Sequence, residues 1–300
     1  MAYRTFEAAK ANSGLSSGSV TNGTGVRQYL RDIVTECLSR LPSRTKLWAL
    51  SHLRRPILWT LFRLETAPET VASAGPSLCR YHMRLIWQSS TEMVLGAYEP
   101  WVVETLHREL RPGDFCIDVG AHIGYHALLM SKLVGPKGLV VAFEPFPRSF
   151  HFLRENAALN GASNLKAENI ALSSGCETLR LTFSADEELS MTPSVAGYAV
   201  EGREAAVEVP ALSLDSYLHQ MDRIPSLIQI DVEGAEMSVL RGAEAALRRA
   251  RPKLLIEVHG WETGTKHEVY SFLSALGYSG EVLGRRGNEG FVLFSDSSGG

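Results

Sequence analysis

No run in this 300-residue sequence approaches the roughly 18 consecutive apolar residues of a membrane-spanning helix. The first 25 residues, MAYRTFEAAKANSGLSSGSVTNGTG, contain no apolar core and are not expected to act as a secretory signal. Cysteine is scarce. Cys37, Cys79, Cys116 and Cys176 lie far apart and form no CxxC pair, which argues against a zinc site or a disulfide framework and for reduced thiols in a cytoplasmic protein. Charge of one sign is also lacking: the formal net charge of -3 gives no general basis for nucleic-acid binding. There is no internal repeat. At 45% hydrophobic and 21% charged residues, the chain has the composition of a globular protein.

The sequence divides by composition. Residues 1–25, rich in Ser, Gly, Asn and Thr, read as a disordered tail. Residues 26–64 read as a basic amphipathic helical appendage, broken near Pro42 and Pro56. Between Arg27 and Arg63 eight basic residues stand against two acidic ones, 8 - 2 = +6. Residues 27–64 could therefore rest on an anionic membrane surface, or pack on the main domain or in a homodimer. A linker is expected at 65–77, the main domain at 78–295 and a short tail at 296–300.

Within the main domain, apolar strand-like runs alternate with helical patterns. EMVLGAYEPWVVETLHREL (92–110) reads as helical, and RPGD ends it. FCIDVG, GLVVAFE, LKAENIAL, SLIQIDV and KLLIEVH read as strands, with helices between them; AEMSVLRGAEAALRRA (235–250) reads as one of these helices. ETLRLTFS and EAAVEVPAL alternate with period two and are expected as exposed strands added to the sheet, with the polar loop 185–202 framing a pocket. SGEVLGRRGNEGFVLF closes the domain as a hairpin. The pattern predicts a largely parallel sheet with helices on both faces and a C-terminal antiparallel hairpin.

CIDVGAHIGYHALLMSKL (116–133) is a strand, a tight turn and a helix. Gly120 and Gly124 allow close backbone approach, and the helix start favours an anion or carboxylate. Asp118 ends the strand. Glu144 ends the next strand and can accept both hydroxyls of a ribose. GAHIG lacks the middle glycine of GxGxxG, so a nicotinamide-dependent oxidoreductase is the weaker reading. S-adenosylmethionine has no pyrophosphate to cradle; its ammonium suits an acid such as Asp118. A catalytically silent cofactor-binding scaffold is a third reading.

IDVGAHIGYHALL, VVAFEPFP, LRENAALNG, NIALS, VPALSLDSYL, LIQIDVEGAEMSVLRGAEAAL and LLIEVHG together resemble the FkbM family of S-adenosylmethionine-dependent methyltransferases, from Arg111 to about Leu283. The segment DVEGAE (231–236) is the most specific. The resemblance implies a Rossmann-like class I methyltransferase fold with a seven-stranded, mostly parallel sheet. It implies O-methylation of a small molecule, natural product or sugar. Carried over by position, Asp118, Gly120, His122 and Gly124 form the cofactor loop, Glu144 takes the ribose and Asn169 approaches the adenine. His122 stands where the family usually has Asn.

Three residues are expected at strand ends facing one crevice: Asp231, Glu233 and His259. Histidine titrates near neutral pH and suits a general base for a hydroxyl acceptor. His259 is therefore the candidate base, Glu233 would position the acceptor, and Asp231 would lie near the methyl donor. The alternatives are a strand-end histidine satisfied by a backbone partner, and two acids that cap the helix start. The same three could collect a divalent metal, but no metal is expected. His126 reads as a core histidine, and Glu257 as a core or supporting carboxylate. Glu99, in GAYEP, reads as a surface acid of a cap helix, with contact to the donor's ammonium or the acceptor as the alternative.

Overall fold

Residues 69–74, 81–86, 92–93, 96–184, 194–195 and 204–297 are described by the computed structural model, and all of them lie in one compact unit, Ala67–Gly300. The tail 1–25, the appendage 26–64 and its membrane or dimer surface, and most of the polar loop 185–202 lie outside the described residues.

The elements run β1 (Glu69–Ala74), β2 (Tyr81–Ile86), α1 (Pro100–Glu109), β3 (Phe115–Val119), α2 (Tyr125–Val134), β4 (Leu139–Phe143), α3 (Pro147–Leu159), β5 (Leu165–Glu168), β6 (Ala171–Leu172), β7 (Glu177–Ser184), β8 (Ser194–Val195), β9 (Glu204–Leu212), α4 (Leu214–Leu218), β10 (Leu227–Ile230), α5 (Glu236–Arg241), α6 (Glu244–Ala250), β11 (Lys253–His259), α7 (Thr265–Ala275), β12 (Tyr278–Arg286) and β13 (Glu289–Asp296). Seven strands form the central sheet in the order β12-β13-β11-β10-β3-β4-β5. The β5-β4-β3-β10-β11 stretch is parallel, and β13 runs antiparallel to both β11 and β12. This is the Rossmann-like class I methyltransferase arrangement, with the expected C-terminal hairpin.

Period-two alternation decides which side chains meet which layer. Ile117 and Val119 of β3, with Ile228 and Ile230 of β10, face the large core that α4 to α7 close with Leu214, Leu240, Leu247 and Leu273. Ala142 of β4 packs with Ala127 of α2 and Leu153 of α3 on the opposite face. There, Trp101 of α1 stacks at 5.3 Å on Phe291 of β13. Asp118 sits in register between Gln229 and Ala142, and the Gln229 amide is 3.0 Å from Nδ1 of His126, so polar groups interrupt this face.

The sequence reading needs five corrections. Part of the supposed linker, Glu69–Ala74, is a strand paired antiparallel with Tyr81–Ile86, so the compact unit begins before residue 78. The helix expected over 92–110 is interrupted: Glu92 and Met93 are helical, residues 96–99 are not, and α1 starts at Pro100, whose fixed φ suits the first helical position. LKAENIAL is split between β5 and β6, because the Asn169 amide bonds the carbonyls of Glu144 and Pro145 and turns the chain away. Beyond that break, β6, β9, β7 and β8 form a sheet of their own, not an extension of the central one. The helix over 235–250 is likewise two helices: a Cβ on Gly242 would lie 1.9 Å from the Ser173 carbonyl, and Asp215 accepts from the amides of Ala245 and Ala246 at the start of α6.

Candidate active site

Strand order reverses between β3 and β10, and an open α/β sheet binds ligands at the carboxyl ends of strands beside such a reversal. A cleft lies there, lined by Gly120 after β3, Glu144 after β4, Asp231 and Glu233 after β10, and Glu257 of β11. Ile170, Ala171 and Leu172 give it one apolar end. Tyr98, Glu99 and Arg286 enclose the other.

The glycine turn is shaped by backbone packing. Gly120 has φ +85°, and a Cβ there would lie 1.7 Å from the Asp231 carbonyl oxygen. The amides of Gly120 and Ala121 both donate to the Phe143 carbonyl, while Asp231 N donates to the Val119 carbonyl. His122 follows at φ 51°, the left-handed region in which His, like Asn, is tolerated better than most residues. Its amide donates to Glu144 Oε2 at 2.7 Å, and Phe146 N donates to Glu144 Oε1 at 2.8 Å. Glu144 thus ties the turn after β3 to the loop after β4, with lone pairs left for a ligand hydroxyl. Gly124 stands at the start of α2, where a Cβ would meet Leu153 Cδ1 at 2.7 Å; its role is close helix packing. Asn169 does not line the cleft, because both carbonyls it bonds belong to the Glu144 loop. It braces that loop.

His259 is 8% exposed at the end of β11. Its Nδ1 lies 2.7 Å from Oε1 of Glu236, which is fully buried, and its Nε2 lies 3.3 Å from Glu233 and 3.9 Å from Asp231. Its partner is a carboxylate and not the backbone. With Nδ1–H donated to Glu236, Nε2 is turned toward the cleft acids. Asp231 and Glu233 do not cap α5, whose N-cap is Ala235 with no side-chain cap bond. Glu233 reaches the cleft from a left-handed backbone, φ 49°. Ligand-type atoms of Asp231, Glu233 and His259 lie within 4.8 Å of one another, as do those of Glu99, Asp231 and Glu257, so either trio is close enough to share a cation.

Sequence reasoning missed three of these residues. Glu236 carries the signal of an acid in the first turn of a helix inside DVEGAE. Glu99, for which the sequence favours a surface acid over contact with the donor or acceptor, is 4% exposed. Arg286 arrives from β12 and bridges Glu99 at 3.4 Å, Glu257 at 3.1 Å and Glu289 at 2.8 Å. His126, as expected, is a buried histidine held by Gln229.

Carboxylates outnumber cations in the cleft, and burial disfavours their charged forms. Burial, reinforced by Glu144 and Glu99, pushes Asp118 up to about 7. Burial also takes Glu144 to about 7 despite its two backbone amides. Asp231 is raised well above the usual range by burial and by Glu99, and Glu257 is raised by burial, Asp231 and Glu99. Burial opposes the charge on His259, but Glu236, Asp231 and Glu233 outweigh it and raise the imidazole to about 9.

The residues fit a nucleoside bearing a charged amino-acid chain. Glu144, beside the apolar Ile170–Leu172 end, keeps lone pairs that ribose hydroxyls would fit. The Gly120 turn has no side chain to block close approach. Asp118 Oδ2 is buried without a hydrogen-bond partner, and Glu99, Asp231 and Glu257 crowd together with Arg286 bonded to only two of them, an arrangement that a cationic group would fit.

The Methyltransferase FkbM domain family matches residues 118–279. The chain is similar to the 31-O-demethyl-FK506 methyltransferase FkbM of Streptomyces tacrolimicus, 32% identical over 198 residues, covering 57% of this chain and 75% of that one. It is similar to the methyltransferase sdnD of Sordaria araneosa, 30% identical over 198 residues (56% and 75% of the two chains). A third relative is the hexuronic acid methyltransferase AglP of Haloferax volcanii, 28% identical over 196 residues (64% and 74%). Among the described residues, no helix is long and apolar enough to cross a membrane.

Proposed function

The chain belongs to the FkbM family of methyltransferases, with S-adenosylmethionine as methyl donor, and from that premise we propose that it methylates a hydroxyl of a small molecule, natural product or sugar, with His259 as general base. The observation that carries this reading is the buried Glu236–His259 pair, which turns Nε2 to the cleft beside Asp231 and Glu233. Two relatives, a 31-O-demethyl-FK506 methyltransferase and a hexuronic acid methyltransferase, support a hydroxyl acceptor of this kind.

Bound donor supplies an electrophilic methyl group on a sulfonium. Glu144 would hold the ribose hydroxyls and the Gly120 turn the neighbouring chain. Glu233, half-exposed at the cleft, positions the acceptor hydroxyl, while Asp231 lies nearer the donor. His259 Nε2 takes the hydroxyl proton as the acceptor oxygen is methylated, and Glu236 holds the resulting imidazolium in place. In the protein alone the neighbouring acids keep a proton on this ring at neutral pH. A cationic donor beside Asp231 counters those charges and lowers its pKa, so donor binding readies the base.

The test is production of S-adenosylhomocysteine by the full chain from S-adenosylmethionine and a panel of neutral, amino and acidic sugars and polyols. A general base of this kind contributes about 10²–10⁴-fold. His259→Ala should therefore lower kcat by at least about 100-fold while S-adenosylhomocysteine affinity stays within about threefold. Undiminished turnover removes His259 as base. Tight product binding with no turnover on any acceptor favours the silent-scaffold reading.

A further inference from the structure

We propose that Glu99, together with Asp231, forms the seat of the donor's α-ammonium group, completing the site from outside the family-matched segment. The proposal rests on the donor being S-adenosylmethionine. It adds a binding residue that lies before residue 118, where the family match begins.

Glu99 precedes α1 in a left-handed conformation, φ 41° and ψ 63°, which a glutamate adopts at a cost. Its position is the N-cap of that helix, yet its carboxylate makes no cap bond there. The side chain is instead buried and lines the same cleft as Gly120, Glu144 and Asp231. Oxygens of Glu99, Asp231 and Glu257 approach within 4.8 Å of one another.

The cations around this trio do not match it. Arg286 contacts Glu99 at 3.4 Å and Glu257 at 3.1 Å, and its shortest contact, 2.8 Å, goes to Glu289. His126 Nε2 lies 3.7 Å from Glu99 Oε2, and burial lowers that imidazole to about 3, so it stays neutral. Tyr98 hydrogen-bonds Glu99 without adding charge. Among the described residues, the one cation near Asp231 is His259, at 3.9 Å. Among the described residues, three carboxylates thus share one guanidinium and the edge of one imidazolium, His259 lying 3.9 Å from Asp231 and 4.0 Å from Glu257, and Asp118 behind the turn keeps a buried oxygen without a hydrogen-bond partner.

The position suits an ammonium. The carbonyl of Asp231 occupies the point where a Gly120 side chain would begin, so the acid trio stands directly beside the glycine turn. Glu144 and the apolar Ile170–Leu172 end lie on the other side of that turn. A ligand with its ribose at Glu144 and its chain over Gly120 brings its amino group to Glu99 and Asp231.

Calorimetry on the full chain with two probes decides the matter: S-adenosylhomocysteine, and its analogue lacking the α-amino group. A charged hydrogen bond in a buried site corresponds to about tenfold or more in affinity. Wild type should therefore prefer S-adenosylhomocysteine by at least about tenfold. Glu99→Gln should weaken S-adenosylhomocysteine by a similar factor, leave the analogue unchanged and abolish the preference. If Glu99→Gln does not fold, as judged by its thermal transition, Glu99→Asp with its shorter reach should reduce the preference in the same way. A preference that survives either folded variant overturns the assignment of Glu99 while leaving the donor reading intact. Failure of wild type to bind either probe overturns the donor reading and the proposal with it.

Discussion

Oε1 of Glu236 lies 2.7 Å from Nδ1 of His259, and on the far side of the same ring Nε2 lies 3.3 Å from Glu233. Glu236 is fully buried, so its distance from solvent keeps the bond strong and the ring orientation fixed. Its Oε1 also accepts the Gly234 amide at 3.1 Å. One carboxylate therefore sets both the imidazole and the turn that carries Glu233 into the cleft.

Glu236→Gln should separate these roles through the pH profile. The Glu236 carboxylate raises His259, and a base works only when deprotonated, so activity rises as pH climbs through the His259 pKa. In the protein alone that pKa is about 9. Removing one of the charges that raise it moves the rise to lower pH, while loss of ring orientation lowers the plateau. A rate profile measured from pH 6 to 10 checks both. An unmoved rise would show that the titrating group is not His259.

Glu144→Ala should weaken S-adenosylhomocysteine by more than about tenfold. The carboxylate would bond ribose hydroxyls, each charged hydrogen bond being worth about 1.5–3 kcal/mol. It also anchors the His122 and Phe146 amides. Calorimetry reads the loss directly, and unchanged affinity would remove Glu144 from the nucleoside end.

Half of this site was legible in the sequence because its signals are local. A strand followed by Gly120, and the acids Asp118, Glu144, Asp231 and Glu233 at strand ends, follow from apolar runs and their punctuation. The order of those strands puts them together. The burial of Glu99 and its pairing with Arg286 were beyond such reasoning. The two residues meet across 187 residues, one from the residue before α1 and the other from the last hairpin. Nothing in GAYEP or GRRGNEG shows that the two fold over a common cleft. The split of 235–250 into α5 and α6 had the same cause, since Gly242 reads as an ordinary helix glycine until the Ser173 carbonyl is packed against it. The bonds from the Asn169 amide to the carbonyls of Glu144 and Pro145 are likewise long-range contacts that NIALS does not display.

Asp118→Asn should stabilise the ligand-free protein at pH 8 and leave it unchanged near pH 4. The folded-state pKa is about 7, above the unfolded value of 3.8. Between those values the folded state holds a proton that the unfolded state has released, so stability falls as pH rises. Above about 7 the penalty is complete, and an uncharged amide avoids it. Melting temperatures of both proteins from pH 4 to 8 test the sign. A variant that gains nothing at pH 8 would mean that another group neutralises Asp118 in the folded protein.

Treatment with a chelator should leave turnover unchanged. Asp231, Glu233 and His259 are close enough to hold a divalent ion, and an acid-oriented histidine is also what a metal ligand looks like. The two roles exclude each other at Nε2: a metal there would occupy the lone pair that a base needs. The raised pKa of the ring follows first from its bond to Glu236 and then from the charges of Asp231 and Glu233, so in the protein alone a proton rests on Nε2, 3.3 Å from Glu233. Activity should therefore persist after dialysis against EDTA, with no recovery to be gained from added Mg²⁺ or Mn²⁺. Loss of activity on chelation and its return with one metal would reassign His259 from base to ligand, and the hydroxyl would then lose its proton by polarisation at the metal.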